Sequence, residues 1–188
     1  MLPTLDQLEC LLRRGIRDHS ALPRGATEDQ IEQFVLRTGL QVPPSLRLFL
    51  RRWNGIHGGE GGLYGIGPGV DEFLDIEHML RRFPKFWRKL WIPVAGDGCG
   101  SYYIVPTRQE FGAGFPVIFC DHVDGWDATY SVASDYLLFV SFCLQRELDD
   151  VDWWPFEREQ FLREDPEIAR FSGVPLPWDA DEWWATRR

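Results

Sequence analysis

The chain has 188 residues, 44% of them hydrophobic and 26% charged. This is the composition of a folded globular domain, and it excludes a disordered chain, a collagen and a coiled coil. The formal net charge is −9, which disfavours direct binding to a phosphate backbone and suits a basic partner.

The charge is uneven. Residues 147–188 hold 12 acidic and 5 basic side chains, whereas the rest of the chain is close to balance. The longest apolar stretch, Tyr136 to Leu144, is interrupted by Ser141 and is far shorter than the roughly 20 residues a membrane helix needs. The N-terminal segment MLPTLDQLECLL carries Asp6 and Glu9 where a signal peptide would be apolar, so a cytoplasmic location is expected. The four cysteines, Cys10, Cys99, Cys120 and Cys143, form no C-x-x-C pair. They are expected to be reduced and mostly buried thiols.

Thr4-x-x-Gln7 is a capping-box signal, in which each side chain satisfies a backbone donor of the first turn. Leu5, Leu8, Leu12 and Ile16 follow with helical spacing. Residues 19–26 read as a loop. Thr27-x-x-Gln30 repeats the capping signal, Ile31, Phe34 and Val35 line one face, and Gly39 closes the helix. Pro43-Pro44 opens a third helix, with Leu46, Phe49, Leu50 and Trp53 as its stripe and Asn54-Gly55 as its end. A glycine-rich passage, His57 to Gly69, contains a short strand near Leu63–Ile66. Asp71 to Phe83 is again predicted helical.

The period then changes. Trp91–Ala95, Ser101–Pro106, Phe115–Asp121 and Ala128–Val132 are short β-branched and aromatic runs separated by Gly, Asp and Pro. Short gaps make them neighbours in one antiparallel sheet. Ser134 is the expected cap of a nearly all-apolar helix, Asp135 to Leu148, of the kind buried on several sides. Beyond it, five of the nine tryptophans (Trp153, Trp154, Trp178, Trp183 and Trp184) stand in the acidic tail. There, Pro155–Arg163 and Asp179–Ala185 read as helical and Phe171–Trp178 as extended. The expected fold is α+β: N-terminal helices packed on a central antiparallel sheet, a closing helix and a Trp-rich C-terminal extension. The expected division is residues 1–25, a central domain 26–148 and an extension 149–188.

Several runs carry a family likeness. They are Thr27-Glu28-x-x-Ile31, Gly39-Leu40-x-Val42-Pro43-Pro44-Ser45-Leu46-x-x-Phe49-Leu50 and Trp53-Asn54-Gly55. Trp91 to Gly98, Tyr102-Tyr103-Ile104, Phe115 to His122 and Val132 to Val140 continue the pattern. Together they resemble the SUKH superfamily, the Smi/Knr-like group of cell-wall-assembly regulators and bacterial toxin-immunity proteins, over about residues 26–146. One departure is Cys99 in the Gly96–Ser101 turn, where many members place acidic or polar residues. The resemblance implies binding without catalysis and without a cofactor. It implies an immunity protein whose partner is a cognate toxin, with a basic nuclease domain as one candidate, or alternatively a regulator or scaffold.

Chemical readings of single motifs compete with this. His57-Gly58-Gly59-Glu60-Gly61-Gly62 is similar to oxyanion-hole loops, but no G-x-S-x-G nucleophile elbow exists. Gly65-x-Gly67-x-Gly69 has the wrong spacing for a dinucleotide fingerprint and reads as a turn. Asp121-His122-x-Asp124-x-x-Asp127 resembles a metal cluster, yet Asp124-Gly125 reads first as a hairpin turn. Cys99, Asp121 and His122 are the residues a small hydrolase or metal-dependent enzyme would use. For the binding reading, the candidate contacts are Glu60, Asp97, Asp124, Asp127, Glu157, Glu159, Asp179, Asp181 and Glu182. They lie in the glycine loop, two turns and the acidic tail, where carboxylates would steer a basic partner.

Overall fold

The computed structural model describes residues 1–15, 22–58, 61–149 and 157–180. Helix α1 (Leu5–Gly15) opens the chain, and α2 (Glu28–Thr38) and α3 (Pro44–Arg52) follow. The capping boxes form at both predicted places. The Thr4 N–H donates to Gln7 Oε1 at 2.8 Å and the Gln7 N–H to Thr4 Oγ1 at 3.2 Å, and Thr27 and Gln30 repeat the same pair of bonds. Gly39 ends α2 in the left-handed region at φ 72°. Ion pairs then lace the helices together: Glu9 joins Arg52 of α3, and Glu28 joins Arg47 and Arg51.

Residues 71–83 depart from the expected single helix. Asp71 turns back on the Phe73 N–H, and Asp75 caps a shorter α4 (Ile76–Arg82) by accepting from the Glu77 and His78 N–H groups. Phe83 leaves the helical conformation, as a residue before proline does. Pro84 then starts α5 (Pro84–Lys89), which the sequence reading does not contain.

The strands β1 (Trp91–Gly96), β2 (Tyr102–Pro106), β3 (Val117–Asp121) and β4 (Asp127–Ala133) form one antiparallel meander in that order. The register aligns Tyr103 with Phe119 and Phe119 with Tyr130. These three rings form a row on one face, and Phe139 of α6 (Tyr136–Asp149) packs on Tyr103 with ring centroids 4.8 Å apart. Every residue of α6 from Tyr136 to Phe142 is buried, as its unbroken apolar character requires. The other face meets α5, where Phe86 lies edge-on to Tyr102. Asp135, rather than Ser134, caps α6 by accepting the Leu137 N–H at 2.8 Å.

Both edges of the sheet are covered. The expected strand near Leu63–Ile66 is reduced to isolated bridges: Leu63 pairs with Ile56 and Ala95, and the Tyr64 N–H donates to Val94 O beside β1. Beside β4, Pro175 O accepts the Ser131 N–H at 2.9 Å. Residues 157–180 of the extension therefore pack on the core, and they comprise α7 (Arg158–Glu164) and two 3-10 turns, Pro166–Arg170 and Pro177–Asp179. Phe161 is fully buried against Phe142 and Trp178, and burying such a side chain contributes roughly 1.5–3 kcal/mol. Trp153, Trp154, Trp183 and Trp184, like the start of the first predicted tail helix and nearly all of the second, lie outside the described residues. No helix among the described residues is long and apolar enough to cross a membrane.

Candidate functional site

The meander puts two turns side by side at one end of the sheet. In the first, Asp97 Oδ1 accepts the Cys99 and Ser101 N–H groups at 2.8 and 2.9 Å. In the second, Asp121 Oδ1 accepts the Val123 N–H at 2.9 Å and Trp126 takes a left-handed φ of 60°. The turns are tied across the gap. Trp126 Nε1–H donates to Gly100 O at 2.9 Å, and the Ser101 hydroxyl lies 3.0 Å from His122 Nδ1. The glycine loop reaches the same end. A Cβ on Gly61 would lie 2.4 Å from the Gly96 carbonyl carbon, so only glycine allows this approach.

Ser101, His122 and Asp121 superficially form a triad. The same ring nitrogen faces both oxygens, at 3.0 Å from Ser101 and 3.3 Å from Asp121. A proton relay needs the acid and the nucleophile on opposite nitrogens. Ser101 is also 2% exposed, and its hydroxyl accepts the His122 backbone N–H. The cluster therefore fixes the two turns. Cys99 is exposed, and no hydrogen bond joins its thiol to His122 among the described residues. No group of three or more His, Cys, Asp or Glu side chains is placed to share a metal ion among the described residues.

The acidic candidates fare differently from one another. Glu60, Asp181 and Glu182 lie outside the described residues. Asp97 is occupied in holding its turn. Asp127 sits between Lys85 and Lys89, at 2.9 and 2.5 Å. Burial works against its charge, but the hydrogen bonds from Lys89 and Lys85 outweigh it and hold the carboxyl below the usual range. These are the only two lysines in the chain. Asp179 pairs with Arg158 at 3.0 Å. Asp124, Glu157 and Glu159 are exposed and carry no ion pair among the described residues. Asp97, Asp124 and Asp127 thus share the turn end, whereas the described tail is anchored at the opposite end of β4, where Asp165 holds Ser134.

The expected burial of the cysteines is half right. Cys10 and Cys99 are exposed, Cys120 is buried, and all four are free thiols. Burial pushes the Cys143 thiol up to about 12, which makes it a poor nucleophile.

The turn end also gathers aromatic side chains that sequence reasoning did not group. Phe83 packs on Tyr102 and Trp126 with centroids 4.8 and 5.1 Å apart, and Arg82 lies over the Phe83 ring at 5.6 Å. Phe83, Tyr102 and Trp126 are each partly exposed. On the α6 side a narrow cleft lies between the glycine loop and α6, lined by Tyr103, Phe139, Cys143 and Arg146 among others. Its volume of about 40 Å³ gives room for a few waters. A wider groove of about 670 Å³ lies between residues 23–30 and 68–70. Among the described residues, Arg24 is its one charged lining residue, so they supply no acid–base pair there.

The geometry is therefore that of a surface built from locked turns, aromatic rings and charges. A comparison with curated proteins finds no match. The family model described as SMI1 / KNR4 family (SUKH-1) matches residues 25–141, more than half of the chain, with α2, the whole sheet and the start of α6 inside the match; the chain belongs to this family.

Proposed function

We propose that the protein is a non-enzymatic binding domain of the immunity type, which holds a cognate toxin in the cytoplasm and blocks its active site. Family membership is consistent with a binding role. The observation that carries the reading is the turn end of the sheet, where polar groups suited to chemistry are consumed in fixing backbone while aromatic rings remain partly exposed. Inhibition needs only a complementary interface. The net charge of −9 would speed encounter with a basic toxin such as a nuclease domain, and Asp124, Glu157 and Glu159 are among the exposed acids available to it.

The test is capture from the native lysate with a salt titration, followed by an activity assay of the captured toxin. Stoichiometric inhibition, with capture weakening as salt rises, is the expected result. A toxin encoded beside this protein that stays fully active in its excess would overturn the reading. Capture of housekeeping proteins alone would favour a regulator or scaffold.

A further inference from the structure

In an acidic protein, the α4–α5 elbow has the opposite sign. Residues 76–89 contain Arg81, Arg82, Lys85, Arg88 and Lys89 against a single acid, Glu77. Lys85 and Lys89 share one carboxylate, Asp127. Arg82 and Arg88 are exposed and make no salt bridge among the described residues. The elbow borders the partly exposed rings of Phe83, Tyr102 and Trp126. Lys85 binds the hairpin directly, donating to Gly125 O at 2.8 Å, and Val123 on the same hairpin is 78% exposed. Trp, Tyr and Arg are the residues that dominate protein interfaces, and a ring cluster with a charged rim is the arrangement in which they do so.

We propose that this elbow and hairpin form a docking surface for a protein segment that combines carboxylates with apolar side chains. The apolar groups would lie on Trp126, Tyr102 and Phe83, and the carboxylates would meet Arg82 and Arg88. Arginine suits this role because its planar fork holds a carboxylate with two hydrogen bonds. The surface shares the rings and the Asp124 hairpin with the turn end proposed above to contact a toxin, and excludes only Glu157 and Glu159 of the tail; its test requires no toxin. Nucleic acid would use the same cations, but the charge on the rest of the molecule opposes it.

The full chain, labelled with nitrogen-15, would be titrated with three probes. These are a capped peptide of about a dozen residues rich in glutamate and leucine, its counterpart with lysine for glutamate, and an oligothymidylate of similar charge. The readout is the indole N–H resonance of Trp126, assigned with Trp126→Phe. The acidic peptide should move that resonance saturably. Its affinity should fall about tenfold or more in Arg82→Glu/Arg88→Glu, as expected on reversing charges at an interface. Arg82→Lys/Arg88→Lys should retain most of it. Both arginines are exposed, and an unchanged backbone amide spectrum verifies that each variant is folded; if the Glu variant does not fold, Arg82→Gln/Arg88→Gln replaces it. No movement at millimolar peptide, equal movement with the lysine peptide, or tighter binding of the oligothymidylate would each overturn the assignment.

Discussion

Asp165 accepts both hydrogen-bonding groups that Ser134 can donate: the backbone N–H at 2.6 Å and the hydroxyl at 2.5 Å. The two residues lie 31 positions apart, one at the end of β4 and one in the extension, and Asp165 is 1% exposed. This pair of short bonds ties the extension to the core. Asp165→Ala leaves two donors with a lost partner and should destabilise the fold by about 2–4 kcal/mol, since a bond to a charged group is worth roughly 1.5–3 kcal/mol. Urea unfolding measures it, and protease cleavage of the extension should accelerate in parallel.

The same carboxyl sets a pH dependence. Burial raises its pKa, the Ser134 hydrogen bonds oppose the rise, and nearby Asp135 adds to it. A folded pKa above the unfolded one means that the contribution of the group is full below the unfolded pKa and is lost as pH rises through the folded one. The stability of the wild type minus that of Asp165→Asn should therefore fall as pH rises through and above the ordinary carboxylate range. Paired urea curves at a series of pH values check this, and a difference that grows with pH would contradict it.

Asp127 behaves in the opposite sense. Its carboxyl is held low by Lys89 and Lys85 against the effect of burial, so its contribution is present above the unfolded pKa and fades as pH falls through the folded one. The side chain is 52% exposed, so Asp127→Asn should cost only about 0.5–1 kcal/mol. The clearer effect should be faster amide exchange at Gly125 and Trp126, because Lys85 would lose one of the two groups through which it holds the hairpin.

Tyr136 is 1% exposed, and its hydroxyl has no hydrogen-bond partner among the described residues. Its ring is the useful part, lying edge-on to Phe49 at 5.2 Å. Tyr136→Phe keeps the ring and removes a desolvated polar group. It should be neutral or stabilising by up to about 1 kcal/mol, which urea midpoints would resolve. A loss of stability would reveal a partner for the hydroxyl.

Thiol labelling separates the cysteines. Cys10 and Cys99 should react with a water-soluble disulfide reagent in the native protein. Cys120, which is buried, should react only after unfolding, and Cys143, half-buried beside the cleft and with its thiol pushed up, should react more slowly than the exposed pair. Counting labelled sites by mass spectrometry before and after denaturation tests this directly.

Local signals were readable in the chain. The two capping boxes, Gly39, the proline pair and the four β-branched and aromatic strand runs each act within a few residues, and the structure holds them where sequence reasoning puts them. The break at Phe83 was harder to see, because Ile76, Met79, Leu80 and Phe83 keep helical spacing across it; Pro84 was the available signal. The site was legible only in pieces. Asp124-Gly125 announces a turn, but nothing local says that Trp126 will bond to Gly100 or that both lysines will converge on Asp127. Those meetings depend on strand register and on where α5 packs, which are properties of the assembled sheet.

The extension gives the core Phe161, Asp165, Ile168 and Val174, and closes the β4 edge through Pro175. The family match ends at residue 141, inside α6. The stretch that matches the family model is therefore shorter than the packed core of the described residues. Transplanting residues 25–141 alone would carry over the inherited pattern, yet it would strip α6 of its second half and leave an unpaired strand open to other chains. Grafting or fusing this domain has to respect the larger unit.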